Sequence, residues 1–200
     1  LQKQIKEAAS EVQGGFRLHN WVDKLPRERS RYVSRRGEDV DHLLVYHTGT
    51  AAATPLADLA RSQMPAWPGL LYDFVVDAQG ELYQTQPLEE VPDTTEPYVR
   101  RAVSIAFAGD YATGLPPAVQ INAAARLLLW LLERYPRLSE SSIRGLSEFI
   151  EAESPGGEWL GGRNWKSTLL AAVRKAAGSA LADATMLRLQ ERIAELERTL

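Results

Sequence analysis

The residues able to do metal or acid–base chemistry in this sequence are few. There are three histidines, His19, His42 and His47, and no cysteine. Without cysteine, disulfides and thiolate zinc sites are excluded. His47 stands out by its setting. In "LLVYHTGT", residues 43–50, three apolar residues run into Tyr46, His47 and a Thr-Gly-Thr turn. That pattern predicts a buried strand ending at a polar edge, where α/β proteins place their chemistry. Three roles fit a histidine there: a metal ligand, a catalytic base, or a bystander beside a position that once carried the chemistry. His42 and His47 are five apart on one strand, so they face opposite ways and cannot share an ion. Asp73 could join His47, but that makes only two ligands.

Composition bounds the reading. Two hundred residues suffice for one domain with a proper core plus some extra elements. The net charge of −3 predicts no broad pull toward nucleic acid or an anionic membrane. No apolar run is long enough to span a bilayer. The arginine run in "LPRERSRYVSRR" could contact phosphate, but a solvated surface is the simpler reading. The chain opens on Leu1 and closes inside a heptad, so we expect a piece of a longer protein.

The elements that must position these residues follow from periodicity and punctuation. Leu1, Ile5, Ala8 and Val12 mark one face of a helix that Gly14 and Gly15 stop. Residues 16–39 read as an ordered arm without regular structure. Residues 39–46 form a strand, and "LLV" makes it a central one. Thr54 caps a helix with Pro55 at its first position, ending near Met64. Residues 71–86 form a hairpin with its turn at 77–80. "PLEEVPDTTEP" is a loop, and "AVSIAFAGD" is another apolar strand. Pro116 and Pro117 open a long helix that turns Ile121, Ala125, Leu128, Leu132 and Tyr135 to one side. "SSIRGL" is a short last strand, "ESPGGEWLGG" a glycine-rich loop, and Asn164 caps a helix running to about Ala177. In the tail, Met186, Leu189, Ile193, Leu196 and Leu200 form a heptad seam, with Arg192 and Glu197 placed to pair between chains. Two arrangements satisfy that seam: a helix packed back on the domain, or the start of a coiled coil that self-associates or takes a partner helix. The N-terminal helix shares the spacing, so the two ends could also pair with each other.

Five stretches in order carry a family resemblance. "VYHTGT", "WPGLLYDFVVDAQGELYQTQPLEEV", "VSIAFAGDY", "LPPAVQINAAARLLLWLLERY" and "IRGLSEFIEAESPGGEW" resemble the motifs of the zinc-dependent N-acetylmuramoyl-L-alanine amidases and their relatives, the peptidoglycan recognition proteins. The match covers residues 40–175. It implies an α/β fold, a central mixed β-sheet flanked by helices, to which the terminal helices of heptad character are added. The expected organisation is an N-terminal helix at 1–15, an arm at 16–39, an amidase-like domain at 40–178 and a C-terminal helix at 179–200.

The family's chemistry, as the resemblance implies it, uses two histidines and a Cys or Asp to hold zinc, with one position open to water. Carried over position by position, the first histidine falls on Tyr46, the second on Leu146 and the third ligand on Ser154. The lysine position falls on Ala152, the tyrosine is kept as Tyr72, and the histidine beside it is Asp73. All three ligand positions are substituted, so no zinc and no confident catalytic residue are expected, and His47 reads as the bystander. The expected function is an inactive amidase-fold domain that binds peptidoglycan or muramyl peptides, in a groove lined by Tyr46, His47, Trp67, Tyr72, Asp73, Arg144, Glu148 and Ser154. Two alternatives stand: a scaffold oligomerised through its terminal helices, and an active zinc amidase. The setting implied is a cell envelope, an extracellular space or a phage-associated assembly.

Overall fold

A computed structural model describes residues 15–198. Residues 1–14, where the N-terminal helix is expected, and Leu200 of the tail seam lie outside them. The architecture is organised around one strand, β3 (His42–His47), buried along its whole length. Its neighbours β7 (Ala102–Phe107) and β8 (Ile143–Gly145) both run parallel to it. Beyond β7 come β4 (Phe74–Val76), the antiparallel β5 (Leu82–Gln84) and the edge strand β1 (Leu18–Asn20), giving the order β1-β5-β4-β7-β3-β8. This is the mixed sheet expected from the sequence.

The sheet separates two apolar layers, as strand alternation requires. Leu43, Val45, Ile105, Phe107 and Phe74 face one side and pack beneath α3 (Ala118–Arg134) and the start of α4 (Trp165–Arg198). Leu44, Tyr46, Val75 and Ala106 face the other, against Leu59 and Ala60 of α1 (Leu56–Gln63). Helix α3 buries Ile121, Ala124, Leu128 and Leu131 at steps of three and four, the period that its sequence predicts. The hairpin turn is built by Asp77, whose Oδ1 accepts the N–H of Gln79 and of Glu81, both at 2.9 Å. Gly80 takes φ +85° there, a conformation that costs a glycine little.

Several expectations are corrected. The arm is not without regular structure: it holds β1 and also β2 (Tyr32–Ser34). The proline-punctuated loop contains β6 (Glu90–Pro92), which pairs antiparallel with β2, and a single helical turn, α2 (Pro97–Arg100). Strands of three residues carry too little periodicity to read. Thr54 makes no side-chain cap, because Pro55 holds the capping position of α1. Asn164 does cap α4, its Oδ1 accepting the Ser167 N–H at 3.2 Å. That helix does not stop at Ala177. It continues through Gly178 for 34 residues in all. One glycine costs a helix only about 1 kcal/mol, too little to break it.

The arginine run is also not all solvated surface. The Arg35 side chain is 2% exposed. It donates to the carbonyls of Leu88 and Ala102 and reaches Asp73 Oδ1 at 3.3 Å. Asp73 Oδ2 in turn accepts the Ser104 N–H at 2.7 Å and its hydroxyl at 2.9 Å. Burial pushes the Asp73 carboxyl up, while Arg35 and Ser104 pull it back. Removing one partner of such a pair costs about 3–5 kcal/mol, because the other is left buried and uncompensated. We therefore expect Arg35→Met or Asp73→Ala to lower the unfolding free energy by about that amount in urea titrations. Arg36→Ala, on an exposed neighbour paired with Glu38 and Asp39, should leave it nearly unchanged. A loss at Arg35 no larger than at Arg36 would show the network to be dispensable.

Candidate functional site

The last two residues of β3 point to opposite sides of the sheet, and each is held by different chemistry. Tyr46 faces α1. Its ring lies 5.1 Å from that of Tyr72, and both are buried at 4% and 5% exposure. Leu146 packs on the same cluster. Its placement follows from register: Val45 of β3 pairs with Gly145 of β8, so the next residue of each strand arrives at the same end. Burial pushes both phenols up, and around Tyr46 the neighbouring Tyr72, Tyr98 and Asp73 push further in the same direction. The Tyr72 oxygen accepts a hydrogen bond from Gln63 Nε2 at 3.2 Å. Both phenols therefore keep their protons at neutral pH.

Ser154 closes the same strand end from the glycine-rich loop. Its hydroxyl oxygen accepts the His47 N–H at 3.0 Å, and its carbonyl accepts the Ser147 N–H at 3.0 Å. Tyr46, Leu146 and Ser154, far apart in sequence, thus converge where the resemblance assigns metal ligands.

His47 turns the other way. Its Nδ1 accepts the Tyr111 N–H at 2.8 Å. An accepting Nδ1 makes the ring neutral, with its proton on Nε2. Burial lowers the pKa of His47, against the opposing pull of Asp110 and Glu153. The ring latches β3 to the loop after β7, where Gly49 and Gly109 are also joined through a backbone hydrogen bond of 3.0 Å.

The sequence-derived groove residues do not form one lining. Tyr46 and Tyr72 lie on the α1 side, and His47 lies across the sheet from them. Asp73 is buried with Ser104 on the α1 side, so it cannot share an ion with His47. Glu148 belongs to a scaffold. It accepts from Lys166 Nζ at 2.8 Å through both oxygens, from the Gly145 N–H at 2.8 Å and from Trp159 Nε1 at 2.8 Å. Burial alone would raise its carboxyl, but these donors outweigh burial and hold it below its ordinary value. Arg144 lies over the Phe149 ring at 4.3 Å and donates to the Glu148 carbonyl at 3.2 Å. Trp67, half-buried, follows α1 and donates its backbone N–H to Gln63 O at 2.8 Å. Sequence reasoning missed Arg35, Ser104, Tyr111 and Lys166: Arg35 and Ser104 meet Asp73 across 38 and 31 residues, Tyr111 meets His47 across 64, and Lys166 meets Glu148 across 18. Among the described residues, no three His, Asp or Glu side chains gather closely enough to hold a metal ion.

Comparison with known proteins bears on this geometry. A family model described as N-acetylmuramoyl-L-alanine amidase matches residues 36–157, more than half of the chain. No curated protein matches. Among solved structures, the chain resembles the Ph2119 endolysin from Thermus scotoductus MAT2119 bacteriophage Ph2119, at 19% identity over 78% of this chain and 99% of that one, with a TM-score of 0.63. It also resembles a mutant of Drosophila PGRP-LB in complex with tracheal cytotoxin, at 19% identity over 70% and 88%, with a TM-score of 0.58. A third is peptidoglycan recognition protein-LE in complex with tracheal cytotoxin, described as monomeric diaminopimelic acid-type peptidoglycan, at 23% identity over 59% and 75%, with a TM-score of 0.52. At these identities the structural likeness establishes the fold.

The His47 latch gives a pH dependence of defined sign. Its pKa in the folded chain lies below the ordinary value of 6.5. The folded state therefore favours the neutral ring, and this stabilisation is whole above 6.5 and is lost as pH falls through the window beneath it. We expect the melting temperature to drop as pH is lowered below 6.5. His47→Asn keeps an acceptor near the Nδ1 position and removes the titration, so its melting temperature should fall less steeply over the same window. Parallel curves for the two proteins would show that His47 does not contribute to the drop.

Proposed function

This chain belongs to the N-acetylmuramoyl-L-alanine amidase family, and on that premise we propose that it is a peptidoglycan-binding domain that keeps the family's fold without its zinc chemistry. The observation that carries this reading is the packing of Tyr46, Tyr72 and Leu146 into one apolar cluster at the strand end. Two of the three ligand positions that the resemblance assigns, 46 and 146, belong to this cluster.

The donor chemistry points the same way. Leu146 has no donor atom at all. Tyr46 is buried and holds its proton, whereas a metal would need the phenolate. The Ser154 hydroxyl oxygen already accepts the His47 N–H. The Nδ1 of His47 is occupied by Tyr111 and lies on the other side of the sheet. These residues do not fit zinc. Tyr72, at the position of the family's tyrosine, is enclosed with Tyr46 and has no access to a reacting group.

Binding without hydrolysis is the function that remains open to such a fold. Two structural relatives are described in complex with tracheal cytotoxin, a peptidoglycan fragment. In this chain Trp67, Arg144 and Ser154 are the partly exposed members of the expected groove apart from the anchored Glu148. They do not share one lining, so each is a separate candidate contact for a ligand made of sugar and peptide. A cell-wall or phage-associated setting follows from the same reading.

Two measurements test it. After incubation with zinc and gel filtration, the protein should retain far less than one zinc per chain. It should also sediment with purified sacculi, and Trp67→Ala should weaken that retention several-fold. Zinc near one per chain, with hydrolysis of muramyl peptides, would overturn the loss of chemistry. No retention on sacculi would remove the binding role and leave the fold as a scaffold.

A further inference from the structure

The other end of β3 carries a site of different chemistry. His42 opens the strand on the face that Tyr46 shares, four residues or about 13 Å before it. There β7 and β8 also begin, since His42 lies opposite Ala102 and Leu43 opposite Ile143. A cleft of about 490 Å³ opens at this end, and none of Tyr46, Leu146 and Ser154 lines it. Its lining is largely aromatic, with Phe149 at the centre. The His42 ring lies 4.7 Å from that of Phe149, the Tyr98 ring 5.9 Å away at 28°, and the Arg144 guanidinium 4.3 Å over its face. The His42 side chain is 8% exposed and is fixed through both ring nitrogens, Nε2 at the Tyr98 carbonyl at 2.7 Å and Nδ1 at the Asp41 carboxylate. Pro97 adds a further apolar surface.

The charged groups of the lining are unequal: two arginines, Arg101 and Arg144, against one carboxylate, Asp41. Both Asp41 oxygens are already engaged, Oδ1 by His42 and Oδ2 by Arg101 Nε. Arg101 thus meets Asp41 through Nε, and among the described residues no hydrogen bond engages its Nη1 or Nη2. Arg144 donates through Nη2 to the Glu148 carbonyl, and its Nη1 likewise makes no hydrogen bond among the described residues. Two further carboxylates adjoin the cleft without lining it. Glu96 is hydrogen-bonded to the Tyr98 side chain, and Glu148 is held by Lys166, Gly145 and Trp159. An apolar lining with a few placed polar groups, at this volume, is what a small-molecule site needs. The Nη1–Nη2 edge of a guanidinium offers two parallel N–H groups, spaced for the two oxygens of a carboxylate. Aromatic walls favour a flat apolar body behind that charge.

We propose that this cleft binds a small organic carboxylate with a flat apolar body, its oxygens on the free N–H groups of Arg101 and Arg144 and its body against the aromatic lining. The site lies at the opposite end of β3 from the positions that the resemblance assigns to a metal, and it does not depend on peptidoglycan binding.

Benzoate is the probe and benzamide its uncharged counterpart, each titrated into the full chain and followed by backbone amide NMR. Benzoate should saturate in the millimolar range, with its shifts centred on residues 98–101 and 141–144, and benzamide should bind several-fold more weakly. Arg101→Gln and Arg144→Gln should each weaken benzoate several-fold. Arg101→Lys keeps the charge beside Asp41 but loses the paired N–H edge, so it should weaken binding too, with the fold retained. Arg100→Gln, on an exposed neighbour, should leave binding unchanged. The proposal is overturned by a titration that does not saturate, by equal binding of benzamide, or by shifts centred on Tyr46 and Ser154. A loss at Arg100→Gln equal to that at Arg101→Gln would reduce the effect to surface charge and overturn it as well. Retention on sacculi, present or absent, bears on the peptidoglycan reading and leaves this result untouched.

Discussion

The pleat of β3 governs this molecule. Consecutive residues on a strand must face opposite sides, and β3 sits in the middle of a sheet covered on both faces. Tyr46 and His47 therefore cannot act on one ligand, however close they are in sequence. One joins the α1 layer and the other the α3–α4 layer. The same rule places Ser104, and with it Asp73, on the Tyr46 side. A shift of one residue would exchange both layers at once, so burial on both faces specifies the register strongly.

That face carries an unusual internal charge. Arg35 comes from a stretch that looks like solvated arm, yet its guanidinium lies beneath the sheet among carbonyls and the Asp73 carboxylate. Arginine stays protonated in proteins and offers several donors in a fixed plane, so it can satisfy three acceptors on three segments at once. A buried pair of this kind is weak evidence for stability, but its contacts join the arm to three other segments. The arm is thereby locked to β7 and to the segment after β5. Asp73, which the resemblance aligns with a histidine, is a member of this network.

Much of this was legible in the sequence. The strands at 42–47 and 102–107, the helix at 118–134, the Asn164 cap and the mixed sheet follow from periodicity, capping and the order of five motifs. The resemblance could single out Tyr46, Leu146 and Ser154; parallel register brings the first two to one strand end, and the Ser154 hydroxyl meets the His47 N–H there. Three kinds of feature were not legible. Three-residue strands such as β2 and β6 have no period to detect. Long-range partners such as Arg35 with Asp73 leave no local mark. The continuity of α4 through Gly178 depends on a small propensity cost being outweighed over a long helix, which no single residue reveals. The groove failed for a related reason: a list of residues near a motif does not say which side of a sheet each one faces.

Filling a ligand position differs physically from emptying it. Ligand side chains left without their ion would be polar groups with lost partners, each costing about 1–3 kcal/mol when buried. Replacing them by side chains that pack removes that cost and adds apolar burial, worth about 0.8 kcal/mol per methylene. On the function proposed above, Tyr46 against Tyr72, with Leu146 beside them, would be such a replacement. Asp73 and Arg35 form a buried hydrogen-bonded pair on the same side of the sheet. Reversal is correspondingly hard. A histidine at 146 alone would sit in an apolar cluster with no second ligand, and one at 46 would lose the ring contact with Tyr72. On the ligand positions that the resemblance assigns, building an ion site would require changes at Tyr46, Leu146 and Ser154 together. The strand end is thereby held in a packed state by the interactions that stabilise the core.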